Sequence, residues 1–389
     1  MNRIYADLPT TIFEVMSGLA RETGAINLGQ GFPDEPGPLA VREKAAEASI
    51  SGWNQYPPMR GLAELRQAVA DHYRRFQGVD LEWAEEVTVT SGATEALAAS
   101  IFALITPGDE VVLFQPLYDA YAPLIRRAGG AIRLARLEPP HWRLSREMLE
   151  AVFTPNTRLV VFNNPLNPSG TAFAREDLEL LAEFCVRHDA VIISDEVWEQ
   201  VVFDGRRHVS VLNLPALRDR AVKIGSAGKM FALTGWKVGF VCAPPALSQV
   251  IAKAHQFLTF TTAPNLQAAV AWGLHNSEAW FEQMPLDLQR SRDRLAQGLR
   301  REGFAVLDSS GTYFLNIDLP GSGIDLDDRT FSMRAVREAG VASIPVSSFY
   351  ETDPVTSVVR LCFAKADETL DLAIERLSRA RDLFRSGPD

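Results

Sequence analysis

The chain has 389 residues, 39 basic against 49 acidic side chains, a formal charge of −10 and 47% hydrophobic residues. That composition excludes a disordered chain and allows two to three domains at about 150 residues each. The acidic balance argues against a general nucleic-acid binder, which needs a basic surface, but leaves room for a local basic pocket.

The first residues, Met-Asn-Arg-Ile-Tyr-Ala-Asp-Leu-Pro, lack the apolar core of a signal peptide. An extended arm follows, marked by Gly29, Gly31, Pro33, Pro36 and Pro38. Glu86 to Thr90 reads as a strand leading through Ser91-Gly92-Ala93 into an apolar helix up to Ile105. That stretch is the most apolar of the chain, yet it is too short to span a bilayer and contains Ser100, so no membrane is expected. Further strands are predicted at Glu110 to Phe114, Arg158 to Phe162, Ala190 to Ser194, Val222 to Gly225 and Val238 to Cys242. Between them, Arg175 to His188 carries a helical stripe of Leu178, Leu180, Leu181 and Phe184. Strand–helix alternation predicts an α/β fold with a mostly parallel sheet covered by helices. After Pro285 the pattern changes to a helix Leu286 to Glu302, a strand Thr312 to Ile317, a helix near Thr330 to Ala339 and a strand Val358 to Phe363. These suggest a smaller α+β domain.

Cysteine is sparse: Cys185, Cys242 and Cys362 are widely spaced, with no CxxC, and the six histidines include no HExxH. A disulfide framework or metal site is therefore not expected, and a reducing, cytoplasmic setting is.

The segment Lys223 to Phe240, KIGSAGKMFALTGWKVGF, sets three lysines in a mostly apolar run. A buried lysine near other cations loses its proton readily and becomes a nucleophile able to form a Schiff base with an aldehyde. Ser226 and Lys237 offer a hydroxyl and a charge to a phosphate. Alone, the segment reads equally well as a surface turn with solvated lysines. In VIISDEVWEQ, Asp195 falls at the carboxyl end of a strand, where open α/β sheets place ligands; it could face a protonated pyridine nitrogen or merely cap the next helix. NNPLNPSGT forms a rigid loop that presents Asn167, although Asn-Pro steps are also common turns. Ser91-Gly92-Ala93-Thr94 opens a helix after a strand, a weak phosphate-binding signal that is neither a P-loop nor GxGxxG.

Together TSGATEAL, QPLYDAY, NNPLNPSG, SDEVWEQ, SAGKMFALTGWKVGF and RLCFAK, in that order, resemble the class I and II aminotransferases of fold type I, which use pyridoxal 5'-phosphate. The likeness runs from LGQGFPD at Leu28 to Asp34 as far as Lys365. LGQGFPD, NQYPPMRG and SAGK-x-F-x-x-TGWKVG bring the chain nearest the methionine and aromatic (kynurenine- or glutamine-using) aminotransferases. The resemblance implies an N-terminal arm and part of the small domain over 1–45, a large cofactor-binding domain over 46–284 and a small domain over 285–389. It implies Lys229 as the Schiff-base lysine, Asp195 opposite the ring nitrogen, and Asn167 by the ring oxygen and the substrate carboxylate. Tyr118 would stack on the ring, Ala93, Thr94, Ser226 and Lys237 would hold the phosphate, and Arg360 would grip the substrate α-carboxylate. Tyr56 would reach the phosphate of a neighbouring subunit, making the active site shared across a homodimer. Gly31 would leave room beside the substrate, and Phe13 would line its side-chain pocket.

One position departs from the family pattern. Trp198 stands where a tyrosine normally bonds the ring oxygen, and an indole can donate but not accept. The expected reaction moves an amino group from an L-amino acid to a 2-oxo acid. FLTFTTAP, Phe257 to Pro264, has no cation where dicarboxylate enzymes offer a second arginine, so methionine or aromatic donors are favoured. A cysteine-conjugate β-lyase and a succinyl-diaminopimelate aminotransferase are the nearest alternatives. A PLP-binding regulator without catalysis is the alternative outside the enzymes.

Overall fold

The computed structural model describes residues 2–6 and 8–385; Met1, Asp7 and 386–389, the extreme ends of the first and last domain ranges, lie outside the described residues. Thirteen strands are described: β1 (Ile26–Asn27), β2 (Val87–Thr90), β3 (Glu110–Gln115), β4 (Ala131–Arg136), β5 (Thr157–Asn163), β6 (Val191–Asp195), β7 (Ala221–Ser226), β8 (Gly239–Cys242), β9 (Ala305–Val306), β10 (Phe314–Asp318), β11 (Val341–Ala342), β12 (Ile344–Pro345) and β13 (Val358–Cys362). A seven-stranded sheet runs in the order β2-β8-β7-β6-β5-β3-β4. Its pairs from β4 through β7 are parallel, while β8 lies antiparallel to both β7 and β2. Its central strands read as continuous apolar runs such as VVLF and LVVF because helices cover both faces. In the helix Arg175–Arg187, Leu178, Leu181 and Phe184 are buried, whereas Leu180 sits half-buried at the edge of the stripe.

The remaining strands form an antiparallel sheet, β12-β13-β10-β9, and a short parallel pair, β1 with β11. Between the two main sheets the helix Glu278–Arg301 passes straight through Pro285 instead of starting after it. Phe281 and Met284 are buried in its first turns, and that anchoring outweighs the backbone hydrogen bond a proline removes. Ahead of the extended arm stands a helix, Ile12–Thr23, that the Gly- and Pro-rich neighbourhood conceals in the sequence. Thr11 caps it by accepting from the Glu14 N–H, and Gly24 ends it in the left-handed conformation. Its Met16 and Ala20 pack on Val336, Ala342, Ile344 and Phe349, which ties the arm to the smaller sheet.

Candidate functional site

Asn163, Asp195 and Ser226 are the last residues of β5, β6 and β7. They open onto one cavity of about 220 Å³, which Ala93, Thr94, Tyr118, Asn167, Trp198, Lys229 and Lys237 also line. Ligands in open α/β sheets gather at this edge because strand ends and helix starts converge there.

At one end the helix Ala93–Leu104 begins with no side-chain cap, so the orphan N–H groups of its first turn are offered to a ligand. Gly92 precedes it at φ 79°, and a Cβ there would lie 3.1 Å from Lys237 Cε. Glycine therefore lets the lysine lie against the helix start. Lys237 itself adopts φ 53°, a left-handed conformation that costs a side-chain-bearing residue about 1 kcal/mol.

At the other end Asp195 is 5% exposed. Its Oδ2 accepts from the Tyr121 hydroxyl at 2.6 Å and its Oδ1 from the Val197 N–H at 3.4 Å. Burial pushes its carboxyl up to about 6 despite these donors. Tyr118 packs edge-on against Tyr121 at 5.7 Å.

Lys229 rides on the short helix Ala227–Met230 that follows β7. Its Nζ donates to the Gly31 carbonyl and the Tyr313 hydroxyl, both at 3.2 Å, and lies 4.4 Å from the centre of the Trp198 ring. Burial brings the ammonium down to about 8, with Arg360 and Lys237 acting in the same sense and Asp195 against it. Trp198 meets Tyr313 edge to face at 4.3 Å.

Arg360, on β13, is 1% exposed. Its guanidinium lies 3.8 Å from the Phe314 ring centre, 5.2 Å from Phe349 and 5.3 Å from Phe13. Nη1 donates to Asn167 Oδ1 at 2.8 Å and Nη2 to the Gly29 carbonyl at 2.7 Å. Nε is buried without a partner among the described residues. None of the guanidinium's hydrogen bonds reaches a carboxylate, and burial lowers the group to about 9. Gly31 stands by the same stack: a Cβ there would come within 2.8 Å of Phe314 Cζ.

Tyr56 is apart from all of this. It is 81% exposed and packs on Phe260, beside Asn54, Gln55, Thr261 and Thr262. The sequence reading passed over Tyr121, Tyr313 and Asn163. Tyr121 had a signal, since QPLYDAY offers two tyrosines three residues apart; Tyr313 had none, being brought to Lys229 by the smaller sheet.

On the far side of the turn after β6, Lys223 Nζ donates to Glu196 at 2.5 Å and to Glu199, and His208 Nε2 lies 2.8 Å from Glu196. Glu196, Glu199 and His208 bring ligand atoms within 4.8 Å of one another, a spacing that suits a metal ion. The Lys223 ammonium already lies against both carboxylates of that group. Among the described residues no helix is long and apolar enough to cross a membrane.

Comparison with known proteins bears on the family and the fold. The family model for aminotransferase class I and II matches residues 23–377. The chain is 42% identical to the probable N-succinyldiaminopimelate aminotransferase DapC of Mycobacterium tuberculosis, over 95% of this chain and 96% of that protein. It is also 42% identical to the methionine aminotransferase of Escherichia coli, over the same shares of each. The crystal structure of YbdL from Escherichia coli, for which a methionine aminotransferase function was identified, superposes with a TM-score of 0.93 over 96% of this chain and 97% of that one.

Proposed function

The chain belongs to the class I and II aminotransferases, and from that premise we propose that it moves the amino group of an L-amino acid, methionine or aromatic, to a 2-oxo acid. The observation that carries this reading is Arg360, a buried cation with no hydrogen bond to a carboxylate and an unpartnered Nε, set beside a lysine lowered to about 8. A buried charge is costly unless an anion meets it, and a substrate α-carboxylate supplies that anion with bidentate geometry.

Enzymes of this family use pyridoxal 5'-phosphate, and the residues present fit it. The uncapped helix start with Lys237 laid against Gly92 suits the phosphate, and the buried Asp195 carboxyl suits a protonated ring nitrogen. Ala93, Thr94, Ser226 and Lys237 would hold the phosphate, Tyr118 the ring face, and Asn167 and Trp198 the ring-oxygen edge. When bound, the cofactor supplies an aldehyde that takes up the amino group and a ring that accepts electrons from Cα.

Within that arrangement Asp195 would face the ring nitrogen, and Tyr121 fixes which way its carboxylate points. Arg360 orients the substrate by its carboxylate, and the Phe314, Phe349 and Phe13 rings around it exclude water and so strengthen the pair. Lys229 Nζ, held between the Gly31 carbonyl and Tyr313, would take the proton from the substrate Cα and carry it to the cofactor carbon on the far side of the amino nitrogen. Its lowered proton affinity leaves a useful fraction as free amine near neutral pH.

Phe13, packed on Phe349 at 5.7 Å, gives the side-chain pocket an aromatic wall. We place the polypeptide in an arm with part of a small domain (1–45), a large domain (46–284) and a small domain (285–389). The exposed group Trp53, Tyr56, Phe257 and Phe260 is the surface we assign to a second copy of the chain, with Tyr56 serving the partner's phosphate. Three cysteines, all free and buried, fit a cytoplasmic setting.

The 42% identity to a probable N-succinyldiaminopimelate aminotransferase supports that substrate as a second reading. The test is a panel of amino donors against several 2-oxo acids, with pyruvate and ammonia release followed alongside. Turnover of methionine or aromatic donors at the highest kcat/KM supports the first reading. Preference for the succinylated diamino acid replaces it, and net ammonia release points to lyase chemistry. Lys229→Ala should remove activity in every assay, by roughly a thousandfold or more.

A further inference from the structure

The start of the helix Ala93–Leu104 carries a charge that the proposed chemistry does not use. Glu95 is its third residue, and Glu95 Oε2 accepts the Ser91 N–H at 3.1 Å. A carboxylate in the first turn competes directly with any anion drawn to the same helix end, because both look to the same orphan N–H groups and dipole. An uncompensated Glu95 would oppose phosphate binding one residue away from Thr94.

The structure shows what compensates it. His255, on the helix Pro245–Leu258, is fully buried. Its Nδ1 lies 3.0 Å from both Glu95 oxygens, and its Nε2 lies 3.0 Å from the Met59 carbonyl oxygen. A carbonyl can only accept, so Nε2 carries a proton. An ionised carboxylate can only accept as well, so either Nδ1 carries a second proton or Glu95 is itself protonated. In both cases the pair holds one shared proton and is neutral as a unit. The other groups around it bring no ionised partner: Thr259 Oγ1 stands 3.3 Å from Nδ1, and Thr262 Oγ1 lies 3.1 Å from Ser91 Oγ. Lys237 lies against Gly92 at the helix start, and the Arg60 guanidinium is engaged with Thr88, Ser248 and the Glu85 carbonyl.

We infer that His255 is a positioning residue for the cofactor phosphate: it neutralises Glu95 and ties the first turn of the phosphate-binding helix to the loop that carries Tyr56. The second part follows from Met59, three residues after Tyr56, whose carbonyl is the other partner of the imidazole. One buried ring thus joins the two segments assigned to the phosphate, one in this subunit and one reaching the partner's. The inference rests on the reading that the cofactor phosphate sits at this helix start.

The test is equilibrium binding of pyridoxal 5'-phosphate and of pyridoxal, which lacks the phosphate, to apoprotein of the parent, His255→Gln, Glu95→Gln and the double variant. Removing only the imidazole leaves a bare carboxylate, so His255→Gln should weaken the phosphorylated ligand by about tenfold or more and pyridoxal hardly at all. Glu95→Gln and the double variant keep the pair neutral and should both bind within about threefold of the parent. Equal weakening of both ligands in His255→Gln, or no recovery in the double variant, would show a packing role and overturn the inference. So would a loss of about tenfold or more in Glu95→Gln, an outcome that decides the matter even should the histidine variant not fold. If the parent binds the two ligands equally well, it is the phosphate-site reading that fails.

Discussion

Two sets of buried charges lie on opposite sides of one turn, Asp195 to Glu199, and they are built to opposite rules. On the far side, Lys223 meets Glu196 and Glu199, Tyr73 and Gln77 add donors to Glu199, and Ser194 and the Val211 N–H add donors to Glu196. Burial alone would raise the Glu196 carboxyl, yet Lys223 and His208 hold it well below the usual carboxylate range. On the cavity side Arg360 makes no hydrogen bond to a carboxylate, Lys229 donates to a carbonyl and a phenol, and Asp195 accepts only from a phenol and one backbone N–H. Burial accordingly lowers Lys229 and Arg360 and raises Asp195, each toward its neutral form. A network of paired charges holds a turn in place; charges buried as deeply without an opposite partner are complete only with a ligand.

Paired replacements by methionine break or sharpen that contrast. Arg360→Met removes an unpaired cation while keeping the chain's bulk, so kcat/KM should fall roughly a hundred- to a thousandfold while the apoprotein melts no lower than the parent. Lys223→Met strands two buried glutamates and should cost about 3–5 kcal/mol of stability, visible as a large drop in Tm. If the two variants melted alike, the division into paired and unpaired charges would be wrong.

The pH dependence of the apoprotein gives a smaller test. Asp195 is raised from its ordinary value of 3.8 to about 6, so the folded state binds this proton more tightly than the unfolded one. The group costs nothing below 3.8, its cost grows as pH rises through that window, and above about 6 the cost is complete. Asp195→Asn should therefore raise the apoprotein's stability at pH 8 by about 3 kcal/mol and leave it nearly unchanged at pH 3.5. Thermal melts at the two pH values check this; an equal gain at both would exclude titration as the cause.

The smallest effect concerns Trp198, which lines the cavity where the family usually has tyrosine. If its indole N–H reaches the ring oxygen, Trp198→Phe should shift the bound cofactor's spectral transition to higher pH by less than about one unit, since one hydrogen bond contributes about 1 kcal/mol. Trp198→Tyr should restore it. An unmoved transition in Trp198→Phe would make the residue a packing partner of Tyr313 alone.

Much of this molecule was legible in its sequence. Short β-branched runs bounded by Gly, Pro and Asn located eight strands to within one or two residues, because buried strands must be apolar throughout, but missed the edge strand β4 (Ala131–Arg136), whose Arg133 and Arg136 break the apolar run, and the two-residue strands β1, β9, β11 and β12. The same runs placed Asp195 and Ser226 at strand ends, and motif order nominated Lys229, Asn167 and Arg360. Local signals failed where distant packing overruled them. Pro285 read as a boundary but sits within a helix that Phe281 and Met284 anchor. The helix Ile12–Thr23 is a different case: its local signals, the Thr11 and Gly24 caps, were present and passed over, and its Met16 and Ala20 then pack on the smaller sheet more than 300 residues away along the chain.

By itself, then, the sequence determined the alternation of elements, which follows from periodicity, while the order of its motifs carried the likeness to a family that nominates the reactive groups. Only the tertiary structure decided which charges are paired. Lys223 and Lys229 lie six residues apart on one segment and look alike as a sequence, yet one faces two carboxylates and the other a carbonyl, a phenol and an indole. Their difference comes from partners brought in by other elements, and the proton affinity of a buried amine is set by those partners and by the water they displace.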